Sequence, residues 1–393
     1  MESKFYSEDD PAAQEVVFGL GCSQRAGEFG KKLGRTALVV TDPGIVSAGH
    51  PQKIIESLEG AGIQTHLFDG AMENPTDSSV QKCADTVRSL DIDFIIGLGG
   101  GSSLDTAKGA NFILTNGGSM EDYWGVGKAK NPLLPMMAIP TTAGTGSECQ
   151  SYALISHDSN HRKMACGDPT ALPKVTLLDP QLSLSQPFRV CAATGMDALA
   201  HALESAACTR RSTLSSRHAK RSFKLLVLNL EKVWSEPDNI DARGEVLLGA
   251  AHAGAAIEKS MLGAAHALAN PLTAQKGIIH GEAVSLALPS VLDFNKSIPE
   301  VLSIYADFSR EAMLAPTGCR DDHAFGFLLD KITHLRALAQ MPQSLAEIGC
   351  EDVELKPLAL DASEQWTASF NPRPVQQSDL LGIYQSIDSY LRK

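Results

Sequence analysis

The chain changes character once, near residue 181, and that change limits its architecture more than any other feature. From about residue 15 to 180, short β-branched or apolar runs alternate with helix-like segments; ALVVTD, THLFDG, DFIIGLGGG, PMMAIPTT, YALIS and KVTLLDP are the clearest strands. Strand, helix, strand order requires crossover connections, and so a largely parallel sheet with helices on both faces. After LLDPQLSLSQP come long Ala- and Leu-rich segments such as CAATGMDALAHALESAAC and ARGEVLLGAAHAGAAIEKSMLGAAHALANPL, with few strand signals. The reading is an α/β domain over 1–182, mostly parallel sheet, and an all-α domain over 183–393. Pro180 and Pro187 flank the boundary, and 393 residues is a length that suits two domains rather than one core.

Charge narrows the partners. Lys and Arg number 34 against 46 Asp and Glu, a formal net charge of -12, which gives no general attraction to nucleic acid or to an anionic membrane. The basic run RRSTLSSRHAKRSFK (210–224) reads as a solvated helix face. Residues 1–180 hold 14 of the basic and 22 of the acidic side chains, so a phosphorylated ligand bound there must be held by local devices. No apolar stretch reaches the length of a membrane span. The start, MESKFYSEDD, lacks the basic and then apolar regions of a secretory signal. The eight scattered cysteines include no Cys-x-x-Cys pair and read as reduced core thiols. The expected location is cytoplasmic.

Two loops carry the signature of an anionic ligand. IIGLGGGSSLDTAKG (95–109) reads as a buried strand, the run Gly99, Gly100 and Gly101, then Ser102 and a helix from about Ser103. Glycine lets backbone approach a ligand with no Cβ between, and free N–H groups at a helix start form an anion site. Three successive glycines cost backbone entropy that a plain strand-to-helix turn does not need, which favours phosphate binding over that alternative. The spacing is neither the common G-x-G-x-x-G fingerprint, with Ser102 at the third glycine, nor a Walker loop. AIPTTAGTGSE (138–148) adds hydroxyls at Thr141, Thr142, Thr145 and Ser147. Two such loops from one sheet point to a ligand with more than one phosphate or ribose. Asp42 ends ALVVTD, where a carboxylate accepts from a ribose diol and repels a 2′-phosphate, favouring NAD over NADP; ordinary turn chemistry in DPG explains it equally.

In the helical part, Asp197 and His201 stand four apart in TGMDALAHALES, on one helix face that is otherwise Ala and Leu. A hydrogen bond between them is the plain explanation. His266 in LGAAHALANP and His280 in KGIIHGEAVSLALP have similarly apolar surroundings, and each alone reads as a satisfied core histidine. Together, one carboxylate and three imidazoles suit a divalent Fe or Zn ion with positions left open, a Lewis acid for an alcohol or carbonyl oxygen. The histidines at 50, 66, 157, 161, 218, 252, 323 and 334 read as surface or core residues.

With their order and spacing, VVTD, ENPT, GLGGGSSLDTAKG, PLLPMMAIPTTAGTGSE, LLDPQL, ATGMDALAHALES, GAAHALANPL, HGEAVSLALP and NPRP make the chain resemble, over almost its whole length, the iron-containing (group III) alcohol dehydrogenases, which share the dehydroquinate synthase-like fold. The resemblance implies metal ligands at Asp197, His201, His266 and His280, with Fe2+ as the metal and Zn2+ as the alternative. It implies NAD at Gly99, Gly100, Gly101, Ser102, Asp105, Thr141, Thr142 and Thr145, with Asp42 at the adenosine ribose and Asn74 and Lys163 at the cofactor edge. It also implies a homodimer, and a cofactor and metal set in a cleft between two domains. The reaction implied is hydride transfer between NAD(H) and a primary alcohol or aldehyde, with His266, His280 and residue 270 nearest the chemistry.

Two departures bear on substrate. Family members usually carry a second histidine four residues after the third ligand, whereas this chain has Asn270, which hydrogen-bonds but takes up no proton at neutral pH. SECQSYAL replaces the usual continuation of the second loop and puts Cys149, Gln150, Ser151 and Tyr152 near the expected substrate pocket. Both favour a small polar or functionalised aldehyde. The rivals are an NAD- and metal-dependent lyase of the dehydroquinate synthase type, a metal-independent maleylacetate-type reductase, and a catalytically silent nucleotide-binding protein.

Overall fold

A computed structural model describes residues 2–4, 14–159 and 162–388; His161 and most of MESKFYSEDD lie outside them. The chain divides into two compact units, Met1–Gln186 and Pro187–Lys393.

The first unit is built on strands β1 (Glu2–Lys4), β2 (Glu15–Phe18), β3 (Thr36–Val40), β4 (Gln64–Phe68), β5 (Phe94–Gly99), β6 (Gly125–Val126), β7 (Met136–Pro140), β8 (Tyr152–Ser156), β9 (Lys163–Gly167) and β10 (Val175–Leu178). Seven form one sheet in the order β1-β2-β10-β7-β5-β3-β4, parallel except where β1 meets β2. Helices α1 (Ala26–Gly30), α2 (Pro43–Ser47), α3 (His50–Gly60), α4 (Asp77–Val87) and α5 (Gly101–Asn116) connect them. Alternate residues of each central strand serve opposite faces. Leu38, Val40, Ile95, Met136 and Ala138 pack with Val80, Cys83 and Leu104 from α4 and α5, while Ala37, Val39, Phe94, Ile96 and Met137 pack with Phe29, Ile54 and Leu58 from α1 and α3. Burial on both faces is why these strands read as unbroken apolar runs.

Strand order reverses beside β3: the chain passes from β3 to β4 on one side and returns to β5 on the other. Such a switch point opens a crevice at the carboxyl ends of the two diverging strands. The loops that begin there are the one holding Asp42 and the one holding the glycine run.

YALIS departs from expectation. It is β8, which leaves the parallel sheet and pairs antiparallel with β9 in a small sheet of order β6-β9-β8. The position next to β7 is taken by β10, and β8 leaves Leu154 exposed. β2 completes the large sheet from a four-residue segment too short to stand out in sequence.

The second unit is helical throughout its described residues: α6 (Phe188–Ala207), α7 (Thr213–Ser235), α8 (Ile240–Glu258), α9 (Ala264–Lys276), α10 (His280–Asn295), α11 (Pro299–Glu311), α12 (Asp321–Leu338), α13 (Leu355–Ser363) and α14 (Gln377–Ile387), with short 3-10 turns between. The basic run lies largely on α7, with Arg217 and Arg221 exposed and Lys220 paired to Glu311. α6 is buried on nearly every side from Cys191 to Ala207, so each polar group it carries needs a partner inside the unit.

Candidate cofactor loops and metal centre

In the first unit the two loops are in contact. A Cβ on Gly101 would lie 2.8 Å from Thr145 Cγ2, and one on Gly100 3.2 Å from Thr142 Cγ2. Gly99 has φ +146, and a Cβ there would fall 2.5 Å from Ser103 Oγ and 3.2 Å from Asp42 Oδ2. Only glycine fits this cradle without displacing its neighbours. Helix α5 starts at Gly101, its N-cap Gly100 offers no side-chain hydrogen bond, and no acidic residue stands in its first turn. Its first N–H groups are therefore available to an anion.

Asp42 is tied to the cradle. Its Oδ2 accepts from Ser103 Oγ at 2.9 Å and its Oδ1 from Ile45 N at 3.1 Å, so it both caps α2 and places a carboxylate beside Gly99. Thr141 is buried and donates its backbone N–H to Gly99 O at 3.0 Å. Thr142, Thr145 and Ser102 are half-buried at the loop surfaces. Asn74 takes the left-handed conformation (φ 51) that Asn tolerates, and its Oδ1 accepts from Lys163 Nζ at 2.9 Å.

Asp105 faces inward. Its Oδ1 accepts from Ser147 Oγ at 2.7 Å, and Lys108, fully buried one turn along α5, donates to Ser147 O at 2.6 Å, Ser147 Oγ at 2.8 Å and Tyr152 O at 3.0 Å. Burial raises the Asp105 pKa, against the pull of Lys108. The pair clamps the end of the second loop onto α5. Lys108 stood unremarked in TAKG; a lysine among small helix residues was the available signal. Cys149 is fully buried, Ser151 is buried, and Gln150 Nε2 is held by Thr145 O at 3.0 Å. The SECQ stretch is thus held at the end of the second loop.

In the second unit α6, α9 and α10 bring a donor set together. Asp197, His201 and Glu204 fall at i, i+4 and i+7 of α6, on one stripe. α9 presents His266 near its start, and His280 is the first residue of α10. Ligand atoms of Asp197, His201 and His266, all buried, lie within 4.8 Å of one another. Asp197 Oδ1 is 3.5 Å from His201 Nε2, 3.3 Å from His266 Nε2 and 4.0 Å from His280 Nε2. The rings of His201 and His266 stack at 4.8 Å, and that of His280 tilts against His266 at 5.4 Å. Burial opposes ionisation of Asp197, but His201 first and then the other imidazoles outweigh it and hold the carboxyl well below its ordinary value. Burial likewise opposes protonation of His266, and Glu204 and Asp197 overcome it, raising the imidazole to about 9.

The donors fit a divalent ion. Asp197 Oδ1 and His266 Nε2 are buried, point to the same space and make no hydrogen bond of proper geometry, an arrangement costly for polar atoms with nothing between them. One carboxylate and imidazole nitrogens are the ligand chemistry of Fe2+ or Zn2+. Close backbone passage makes the geometry attainable: a Cβ on Gly281 would lie 2.1 Å from Ala193 O, so α10 approaches α6 as only glycine allows.

Asn270 follows His266 by one turn on α9, and its amide Nδ2 donates to Gln365 Oε1 at 3.0 Å. Glu204, which sequence reasoning passed over, touches His266 directly through Oε2 and Nδ1; an acid on the same apolar stripe as two candidate ligands was the signal for it. His218 and His252 satisfy each other through their Nδ1 atoms at 2.9 Å, as core residues would.

The comparisons with known proteins identify the family. The model of the iron-containing alcohol dehydrogenase family matches residues 13–180, and that of its C-terminal region matches 191–387. Alcohol dehydrogenase 4 of Schizosaccharomyces pombe is 32% identical over 371 residues, covering 94% of this chain and 86% of that protein. A 1,3-propanediol oxidoreductase structure superposes with a TM-score of 0.90 at 30% identity, covering 95% of this chain and 97% of the other. A sulfoacetaldehyde reductase from Bifidobacterium kashiwanohense, solved in complex with NAD+, superposes with a TM-score of 0.85 at 28% identity, covering 95% and 96%.

Proposed function

Because the chain belongs to the iron-containing alcohol dehydrogenase family, and is an alcohol dehydrogenase or aldehyde reductase of that family, we propose that it transfers a hydride between NAD(H) and a small, polar primary alcohol or aldehyde. Asp197, His201, His266 and His280 hold the metal, Fe2+ in the first place and Zn2+ as the alternative. The observation that carries the reading is the buried convergence of Asp197, His201 and His266. When bound, a divalent cation supplies Lewis acidity to an alcohol or carbonyl oxygen, and NAD(H) accepts or donates the hydride.

The residues of the chain do the rest. The first N–H groups of α5 and the hydroxyls of Thr142 and Thr145 receive the pyrophosphate, in a cradle whose walls already touch. Asp42 accepts from the adenosine ribose and repels a 2′-phosphate. Asn74 and Lys163 close the cofactor edge. The Asn270 and Gln365 amides bind a polar substituent of the substrate, and since neither side chain accepts a proton at neutral pH, the proton leaves through solvent or a ribose hydroxyl. The sulfoacetaldehyde reductase relative, named for a small anionic aldehyde, supports a functionalised substrate. A lyase would need basic side chains to clamp a phosphorylated polyol. Lys276, in the stretch between His266 and His280, is committed to Glu354 at 2.6 Å and Gly349 O at 2.8 Å.

A homodimer in the cytoplasm completes the proposal. Of the eight cysteines all but Cys319 are buried, as suits core thiols. Among the described residues no helix is long and apolar enough to cross a membrane. The test is metal analysis of the purified protein with an NADH-oxidation screen over short aldehydes bearing hydroxyl, sulfonate, carboxylate or plain alkyl groups. Bound metal and turnover led by a polar aldehyde are expected. A protein without metal and without NADH oxidation on any of them would refute the reading.

A further inference from the structure

Neutral imidazole has one lone pair, on whichever nitrogen lacks the proton, and an acceptor at one nitrogen decides which. His266 turns Nε2 toward Asp197, 3.3 Å from its Oδ1, and Nδ1 toward Glu204 Oε2. The second oxygen of Glu204 accepts the backbone N–H of Ala265 at 2.7 Å. Both carboxylate oxygens thus act as acceptors, on adjacent residues at the start of α9. Glu204 is only 5% exposed, and a carboxylate so deeply buried persists when its charge is met by donors. The chain is shaped around it. The N-cap of α9 is Gly263, which supplies no capping side chain, and a Cβ there would lie 3.1 Å from Glu204 Oε1 and 2.9 Å from Asn371 Oδ1. Asn371 Oδ1 takes the neighbouring Ala264 N–H at 3.2 Å.

We propose that Glu204 is a positioning residue that fixes the proton of His266 on Nδ1 and so presents the Nε2 lone pair to the metal, while anchoring the start of α9 so that this nitrogen stays aimed at Asp197. The proposal rests on the reading of Asp197, His201, His266 and His280 as metal ligands. Glu204 contributes no ligand atom. An acceptor-only side chain is required, because an amide in the same place can accept from Ala265 N–H only by turning its NH2 group to Nδ1, which drives the imidazole proton to Nε2 and blocks the metal-facing lone pair.

The experiment compares Glu204→Gln with wild type and with Asn371→Ala, which removes the adjacent helix-start hydrogen bond but not the contact to His266. Readouts are the Co2+ dissociation constant by chelator competition, the visible spectrum of the Co2+ protein, and melting of the metal-free protein. Glu204→Gln is expected to bind Co2+ roughly 10–100-fold more weakly with a changed spectrum, and Asn371→Ala to lower the melting temperature with the spectrum and affinity of wild type. Equal affinity and spectrum in Glu204→Gln and wild type, or equal losses in the two variants, overturn the proposal. A wild type that takes up no Co2+ overturns the metal centre itself and this role with it. Should Glu204→Gln not fold, long-range 1H–15N spectra of zinc-loaded wild type labelled at histidine decide: a His266 proton on Nδ1 supports the proposal, and one on Nε2 refutes it.

Discussion

The closest backbone passage in the helical unit makes a sharp prediction about the metal centre. In Gly281→Ala the new methyl would lie 2.1 Å from Ala193 O and 2.6 Å from Ala193 C. In a regular α-helix that carbonyl receives the amide of Asp197, so α6 has little freedom to yield. Bringing the methyl out to a tolerable 3.0 Å moves the start of α10 by about 1 Å, and His280, the residue before, moves with it. Metal–ligand distances tolerate only ~0.2 Å, so on the proposed reading His280 would be lost as a ligand. Overpacking of this kind costs roughly 1–3 kcal/mol, which for a unit of this size is a fall of roughly 2–12 °C in melting temperature. The expected result is a folded protein, by circular dichroism, that melts earlier and binds Co2+ at least ~10-fold more weakly, the size of loss attached to lesser disturbances of a ligand. Scanning calorimetry and chelator competition measure both. Melting and affinity indistinguishable from wild type would refute the argument that glycine at 281 is what brings His280 to Asp197.

Three further outcomes are expected. Gly99→Ala puts a methyl into a position of positive φ against Ser103 and Asp42; steady-state kinetics should show KM for NADH raised by about 10-fold or more while kcat at saturating cofactor changes less, and an unchanged KM would count against the cradle. Asp42→Ala removes the carboxylate beside Gly99, so the ratio of kcat/KM for NADPH over NADH should rise by an order of magnitude, ~1.4 kcal/mol; a fixed ratio would leave Asp42 as a cap of α2 alone. Glu148 is pushed up to about 7 by burial, against the attraction of Lys108. The native state therefore binds its proton more tightly than the unfolded chain, and stability falls as pH rises from the ordinary value of 4.5 to about 7. Glu148→Gln should stabilise the protein by roughly 2–3 kcal/mol at pH 8 and hardly at all below pH 4.5; denaturant titrations at both pH values test the sign, and a variant less stable at pH 8 would refute it.

The legible parts of the fold were those in which local pattern and tertiary burial agree. Strands β3, β5, β7 and β10 are buried on both faces, so their apolar runs and the turns after them stood out in the sequence. YALIS reads the same way, yet whether such a segment joins the large sheet depends on which strand claims the place beside β7, and β10 holds it with Val175 and Thr176 opposite Met137 and Ala138. That competition is nonlocal and leaves no periodicity. Asp197 and His201 could be paired from their spacing alone, since one helix face holds both. Their approach to His280 goes with the passage of α10 over Ala193, which HGEAV does not announce.

The residues that reading missed share a physical character. Lys108 and Glu204 are buried charged groups on helices rich in small or apolar side chains, and backbone partners distant in sequence meet each of them: Tyr152 O for Lys108, 44 residues on, and Ala265 N for Glu204, 61 residues on. A charge on such a helix is informative because leaving it unpaired in the interior is expensive. The fate of Lys108 also bears on how an acidic unit would serve the proposed dinucleotide. This lysine sits two turns beyond the glycine run but is spent on Ser147 and Tyr152, holding the second loop against the first rather than meeting phosphate. Charge neutralisation then falls to backbone N–H groups whose direction the cradle fixes, a device that works at short range and is indifferent to the sign of the surrounding surface. On the proposed reading the 22 acidic side chains of residues 1–180 therefore do not oppose cofactor binding, and the one of them that stands against Gly99, Asp42, is the one the NADPH/NADH ratio tests.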